Sequence, residues 1–124
     1  MNIMLKYGLP FTSVLLTHKG RSLHFDNFLV DTGSASTIIA AEIAVQLGLG
    51  PEPLDVIRRI RGVGGTEFVY EKHIDKIQMG SKKLDNLRIQ IGDMDYGFDI
   101  NGILGMDFLT RSKVIIDLET MTLI

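Results

Sequence analysis

Cysteine is absent from the 124 residues, which excludes disulfides, thiolate metal ligands and a thiol nucleophile together. The same absence suits a reducing compartment, and a cytoplasmic location is the corresponding expectation. An excess of one charge is also lacking: 13 Lys and Arg stand against 15 Asp and Glu, for a net charge of -2. No basic surplus points to nucleic acid or an anionic membrane as a partner. Long apolar runs are missing too. None approaches the roughly twenty residues needed to span a bilayer. Near the start, Lys6, Tyr7, Gly8 and Pro10 interrupt any stretch of leader-peptide length, so a soluble, unprocessed chain is expected. His18, His24 and His73 share no metal-ligand spacing, and solvated or hydrogen-bonded imidazoles are the simpler reading; no metal and no organic cofactor is expected. No internal repeat and no low-complexity tract occurs.

With 45% apolar and 23% charged residues, the composition is that of an ordinary globular protein. The length suits a single domain, 1–124, with a real core. Strand signals dominate. Segments 11–17 and 22–30 are rich in β-branched and aromatic residues and flank His18-Lys19-Gly20-Arg21, which reads as a hairpin turn. Two further strands meet at Gly62-Val63-Gly64-Gly65, and another strand, 84–92, follows a turn at Gly80-Ser81. Within 38–50, Ile39, Ile43 and Leu47 recur every four residues, predicting a helix with a buried stripe. Gly48 is placed to end that helix, and Pro51 and Pro53 forbid its extension. Polar, turn-rich residues 93–102 lead into Ile103-Leu104-Gly105 and a short helix, and 113–124 closes the chain as a hairpin turning near Glu119-Thr120. Many short strands with one or two helices predict a mostly β domain closed into a barrel-like core.

One stretch is unusual. In Phe28-Leu29-Val30-Asp31-Thr32-Gly33-Ser34 an aspartate follows three apolar residues with no basic side chain within several positions. A carboxylate entering a buried environment is costly unless it is hydrogen-bonded or shares its charge, so Asp31 calls for a specific reason. The predicted hairpin delivers it to the end of a strand, where the chain leaves the sheet.

Three pieces stand in order: the apolar run with Asp31-Thr32-Gly33-Ser34, the glycine-rich tip Gly62 to Gly65, and Ile103-Leu104-Gly105 before a short helix. A bare Asp-Thr-Gly is a weak signal. The ordered set resembles the retropepsin-type aspartic proteases, single-lobe relatives of pepsin, over roughly residues 11 to 111. The resemblance implies a closed β-barrel-like acid-protease lobe, an aspartic endopeptidase activity on peptide or protein substrates, and no cofactor. It implies that Asp31 is the catalytic aspartate, that Thr32 hydrogen-bonds across a dimer axis, and that Gly33 permits the tight turn. It further implies substrate contacts from Ser34 and Ala35 and from a flap of Gly62, Val63, Gly64 and Gly65, with Ile103, Leu104 and Gly105 packed behind the loop.

Hydrolysis by this route needs two carboxylates sharing a proton across a water, because two such groups about 3 Å apart cannot both ionise. The chain holds one Asp-Thr-Gly. Asp26, Asp93, Asp99, Asp107 and Asp117 lack the following Thr-Gly, so a two-fold homodimer is expected to bring Asp31 from each copy together. The Ser34 hydroxyl is expected to bond the carboxylate and shift activity towards acid, against a simpler reading in which Thr32 and Ser34 bond local backbone.

The sequence departs from the viral pattern. Ala35 and Ser36 stand where viral members carry acids, and Met106 stands where they carry the paired arginine, so an apolar contact is expected in place of the ion pair. The helix after the motif looks more like bacterial and other cellular members. The terminal segments, Asn2 to Tyr7 and Thr120 to Ile124, suit either an interleaved dimer sheet or pairing within one subunit. A catalytically silent peptide-binding or dimerisation module on the same fold is the alternative function.

Overall fold

The computed structural model describes residues 1–62, 65–95 and 97–124. Among the described residues, ten strands and two short helices make it mostly β, as the sequence predicts. Strands β2 (Leu9–His18) and β3 (Arg21–Val30) form the first long hairpin, joined by Lys19 and Gly20. Both turn residues have positive φ, 48° and 78°, the condition for a two-residue turn that matches the twist of its strands. The same device recurs at Tyr7-Gly8, where φ is 56° and 73°, and this turn adds β1 (Met4–Lys6) to the edge of β2.

Beyond the hairpin, a closed circuit forms. β3 pairs in parallel with β8 (Gly102–Leu104), which pairs with β4 (Ile38–Ala40), which pairs in parallel with β7 (Lys82–Gly92). β7 then pairs with the long β6 (Gly65–Met79), whose far end returns to β2 through Leu15↔Gln78 to Thr17↔Lys76. β5 (Ile57–Gly62) lies on the outer edge of β6. Pairing β6 back onto β2 closes the ring and leaves β1 and β5 as the outer strands. Its interior is filled by Phe11, Leu16, Phe28, Ile39, Ile74, Ile77, Leu87, Ile89, Ile91 and Leu104, all buried. β4 and β8 are buried at every position, as expected of short parallel strands covered on both faces.

The helix after Asp31 is shorter than its periodicity predicts: α1 covers Ala41–Gln46, and Ile38, Ile39 and Ala40 form a strand instead. The stripe is nonetheless core, with Ile39, Ile43 and Leu47 all buried. β-branched Ile38 and Ile39 gain hydrogen bonds from β7 and β8 at once, which outweighs a helical turn they form only weakly. Gly48 ends the helix at φ 76°, as expected. Helix α2 (Met106–Arg111) follows β8 directly. Six residues are too few for a helix to persist alone. Burial of Phe108 and Leu109 holds it, at about 1.5–3 kcal/mol each.

β9 (Ile116–Asp117) and β10 (Thr122–Leu123) make the predicted final hairpin. The Asp117 carboxylate accepts the N–H groups of Glu119 and Thr120 and fixes its turn. The termini are satisfied within one subunit. Ile3 N–H donates to Met121 O, Leu123 N–H donates to Met1 O, and Asn2 bridges Thr122. Among the described residues no helix is long and apolar enough to cross a membrane.

Candidate active site

Parallel pairing of β3 with β8 brings Val30 beside Leu104, so the two chains leave the sheet together as Asp31 and Gly105. The Asp31 N–H donates to Leu104 O at 3.1 Å, and Ser34 N–H donates back to Asp31 O at 3.2 Å, closing the Thr32-Gly33 turn. The Asp31 carboxylate accepts the Gly33 N–H at 2.9 Å through Oδ1. A side chain on Gly33 would lie 3.1 Å from that same oxygen, so the glycine keeps the approach open. Asp31 is half-buried, and Thr32, Gly33 and Ala35 are exposed. The burial expected of Asp31 from its apolar approach is thus incomplete, because β3 ends at Val30 and the carboxylate stands at the mouth of the core rather than inside it.

Ser34 does not reach the carboxylate. Its hydroxyl donates to Ser36 O at 2.8 Å, so its single proton is engaged inside the loop. Turn chemistry of this kind is the commonest use of a loop serine.

Behind the turn the loop is fastened to the start of α2. Met106 N–H donates to Ser34 O at 2.7 Å and Asp107 N–H to Ala35 O at 3.3 Å. The side chain of Met106 is exposed, so the apolar contact expected at this position is replaced by a backbone one. The polar tie comes from its neighbour: Asp107 accepts the Thr37 hydroxyl at 2.7 Å on Oδ1 and the Thr37 N–H at 3.1 Å on Oδ2. Thr37 is fully buried, and its Oγ1 in turn accepts the Gly105 N–H at 3.2 Å. Sequence reasoning missed both residues. Asp107 was set aside for lacking a following Thr-Gly, although an aspartate opening a helix seventy residues from a buried threonine carries no local signal.

Ile103, Leu104 and Gly105 are buried directly behind the loop. A Cβ on Gly105 would overlap the Ser36 carbonyl and stand 2.9 Å from Ser34 O. Of the proposed flap, Gly62 pairs with Gly65 at the end of the β5–β6 hairpin. Val63 and Gly64 lie outside the described residues. The root of that hairpin is held by charge. Lys72 Nζ lies 2.7 Å from Asp55 and 2.6 Å from Glu52, and Tyr70 donates to Leu49 O at 2.9 Å. The Lys72 hydrogen bond holds the Asp55 carboxyl below its usual range against the opposing effect of burial. Burial works against the Lys72 charge, but its bonds to Asp55 and Glu52 outweigh that and raise its pKa. Tyr70 is raised, chiefly by burial.

Of the histidines, His24 and His73 are exposed. His18 is buried, and its Nδ1, 3.6 Å from Asp75, has no hydrogen-bond partner among the described residues.

The profile of the family described as "gag-polyprotein putative aspartyl protease" matches residues 20–111, most of the chain. The chain belongs to the retropepsin-like aspartic protease family. The matched span opens in the β2–β3 turn and closes at the end of α2, so it contains Asp31, the β5–β6 hairpin and the Gly105 crossing. No curated protein sequence matches the chain. Its fold is similar to the crystal structure of a retropepsin-like aspartic protease from Rickettsia conorii, with a TM-score of 0.71 at 21% identity over 99% of this chain and 95% of that one. At that identity the likeness speaks to the fold. In this retropepsin-like chain, the loop carrying Asp31 lies within the residues that the family profile matches.

Proposed function

We propose that the chain is an aspartic endopeptidase that acts as a homodimer, hydrolysing peptide bonds with a water held between two Asp31 carboxylates. The observation that carries this reading is the Asp31 turn. Its carboxylate stands half-exposed at the end of β3, held by the Gly33 N–H, and it has no cationic partner among the described residues. A carboxylate so placed is competent to take a proton from water, and a second one across a two-fold axis supplies the acid. One Asp31 removes the water's proton as its oxygen attacks the scissile carbonyl. The other donates its proton to the carbonyl oxygen. The first then passes the proton it took from water to the amide nitrogen, while the second takes back a proton from a hydroxyl of the gem-diol. The C–N bond breaks to give an amine and a carboxylic acid, with the pair restored. The pair titrates as a unit, because each charge opposes ionisation of the other.

Other roles follow from position. Thr32, exposed at the turn, holds the two loops across the axis. Ser34 and Ala35 form the lip on which substrate backbone lies, and the β5–β6 hairpin that ends at Gly62 and Gly65 acts as a flap that excludes water. Ile103, Leu104 and Gly105 support the turn from behind. The substrate is an extended peptide or protein segment.

The test is digestion of a mixed peptide library across pH by wild type and by Asp31→Asn. Cleavage by the wild type that disappears in the variant is the expected result. A well-folded dimer that cleaves nothing at any pH supports instead a silent peptide-binding module, the reading that Ala35 and Met106 favour.

A further inference from the structure

The bonds between the Asp31 loop and α2 converge on one side chain that the proposed chemistry does not use. We infer that Asp107 is the positioning residue of the site, acting through Thr37 to fix where the Asp31 carboxylate stands; this rests on the protease reading above.

The geometry is specific. Both oxygens of Asp107 are engaged: Oδ1 by the Thr37 hydroxyl and by the N–H of Phe108, each at 2.7 Å, and Oδ2 by the Thr37 N–H at 3.1 Å. No lysine, arginine or histidine pairs with it among the described residues. A carboxylate bound by neutral donors alone is a directional anchor, since each bond fixes an angle as well as a distance. Thr37 passes the constraint on. Its hydroxyl donates to Asp107 and accepts from Gly105, the residue packed against the Ser34 and Ser36 carbonyls. Thus the carboxylate of α2 holds the exit of the loop, and the bond from Asp31 N–H to Leu104 O holds its entrance. Between those two points lie Thr32, Gly33, Ser34, Ala35 and Ser36. Because a dimer doubles any displacement of the loop between the two Asp31 groups, a small shift at Thr37 changes the separation on which the shared proton depends.

A residue in this role affects turnover more than substrate binding, because the lip and flap stay in place while the carboxylates drift. Thr37→Val keeps the shape and removes the hydroxyl. Asp107→Asn keeps the shape and replaces one acceptor with a donor facing the Thr37 N–H. Each is expected to lower kcat by about 100-fold with KM changed by less than about threefold, in a chain that remains folded and dimeric. Thr37→Ser, which retains the hydroxyl, is expected to keep most of the wild-type kcat. The double variant is expected to be no slower than the slower single one, because the two residues act as a unit. Asp117→Asn is the control for stability. It removes a carboxylate that likewise accepts two backbone N–H groups, but in the C-terminal hairpin turn, and its kcat should be that of wild type.

Amide hydrogen exchange on the wild type gives a readout independent of turnover. The N–H groups of Asp31, Thr37, Gly105 and Met106 should be protected, and protection at all four should fall in Thr37→Val. If the wild type cleaves no peptide, the protease reading fails while the exchange arm still decides whether Asp107 and Thr37 order the loop. Folded Thr37→Val and Asp107→Asn dimers with wild-type kcat would overturn the inference. So would rapid exchange of the Thr37 amide in the wild type, which needs no variant to fold.

Discussion

Gly105 shows how closely the site is built at the scale of single residues. A methyl group there would meet the carbonyl of Ser36, which is backbone and cannot rotate away. Gly105→Ala is therefore expected to cost at least about 1–3 kcal/mol of stability in urea unfolding, the range for overpacking. A loss below about 0.5 kcal/mol would contradict the packing. Ser34 carries a different expectation. With its hydroxyl on Ser36 O, Ser34→Ala should lose about 0.5–1.5 kcal/mol of stability and leave the pH profile of peptide cleavage where it was. A profile displaced towards neutral pH in the variant would restore the bond to Asp31 that the motif alone suggests. Asp31 itself was legible from its apolar approach and the Thr-Gly that follows. Asp107 and Thr37 were not, because hydrogen bonds between positions so far apart leave no spacing in the sequence.

At the scale of elements, the hairpins were the most readable parts, since each turn advertises itself chemically. Lys19-Gly20, Gly80-Ser81 and the Asp117 turn all stand where glycine or an aspartate side chain makes a reversal cheap. The strand at Ile38–Ala40 carries a helical spacing because a repeat of four is equally satisfied by a strand residue, a helical one and the residue that caps the helix, and long-range pairing decides between them. The ion cluster at the root of the β5–β6 hairpin lends itself to a pH experiment. Asp55 has a folded-state pKa below its ordinary 3.8, so its contribution is present above that value and is lost as pH falls through the lowered one. Lys72, raised above 10.5, contributes below that value, so both groups act together across the neutral range. The stability gap between wild type and Asp55→Asn should therefore be constant near neutrality and close below about pH 4. Thermal unfolding at a series of pH values measures it, and a gap that widens with acid would contradict the pairing.

At the scale of the whole molecule, the closed circuit of β2, β3, β8, β4, β7 and β6 was foreseen as a class but not as an order. Which strands become neighbours is set by core volume and crossover handedness, and neither is written in local periodicity. The terminal segments were open between two arrangements, and the structure pairs them within one subunit through Asn2, Ile3 and the final hairpin. What the circuit does for function is to end β3 and β8 side by side, which places the aspartate of the chain's single Asp-Thr-Gly at the opening of the core.

Subunit mixing tests that arithmetic most directly. Wild type and Asp31→Asn, co-refolded in varying ratio at constant total protein, should give peptide cleavage that follows the square of the wild-type fraction, with about a quarter of full activity at equal parts. Activity falling in simple proportion to the wild-type fraction would mean that each chain works alone, and the shared carboxylate pair would be wrong.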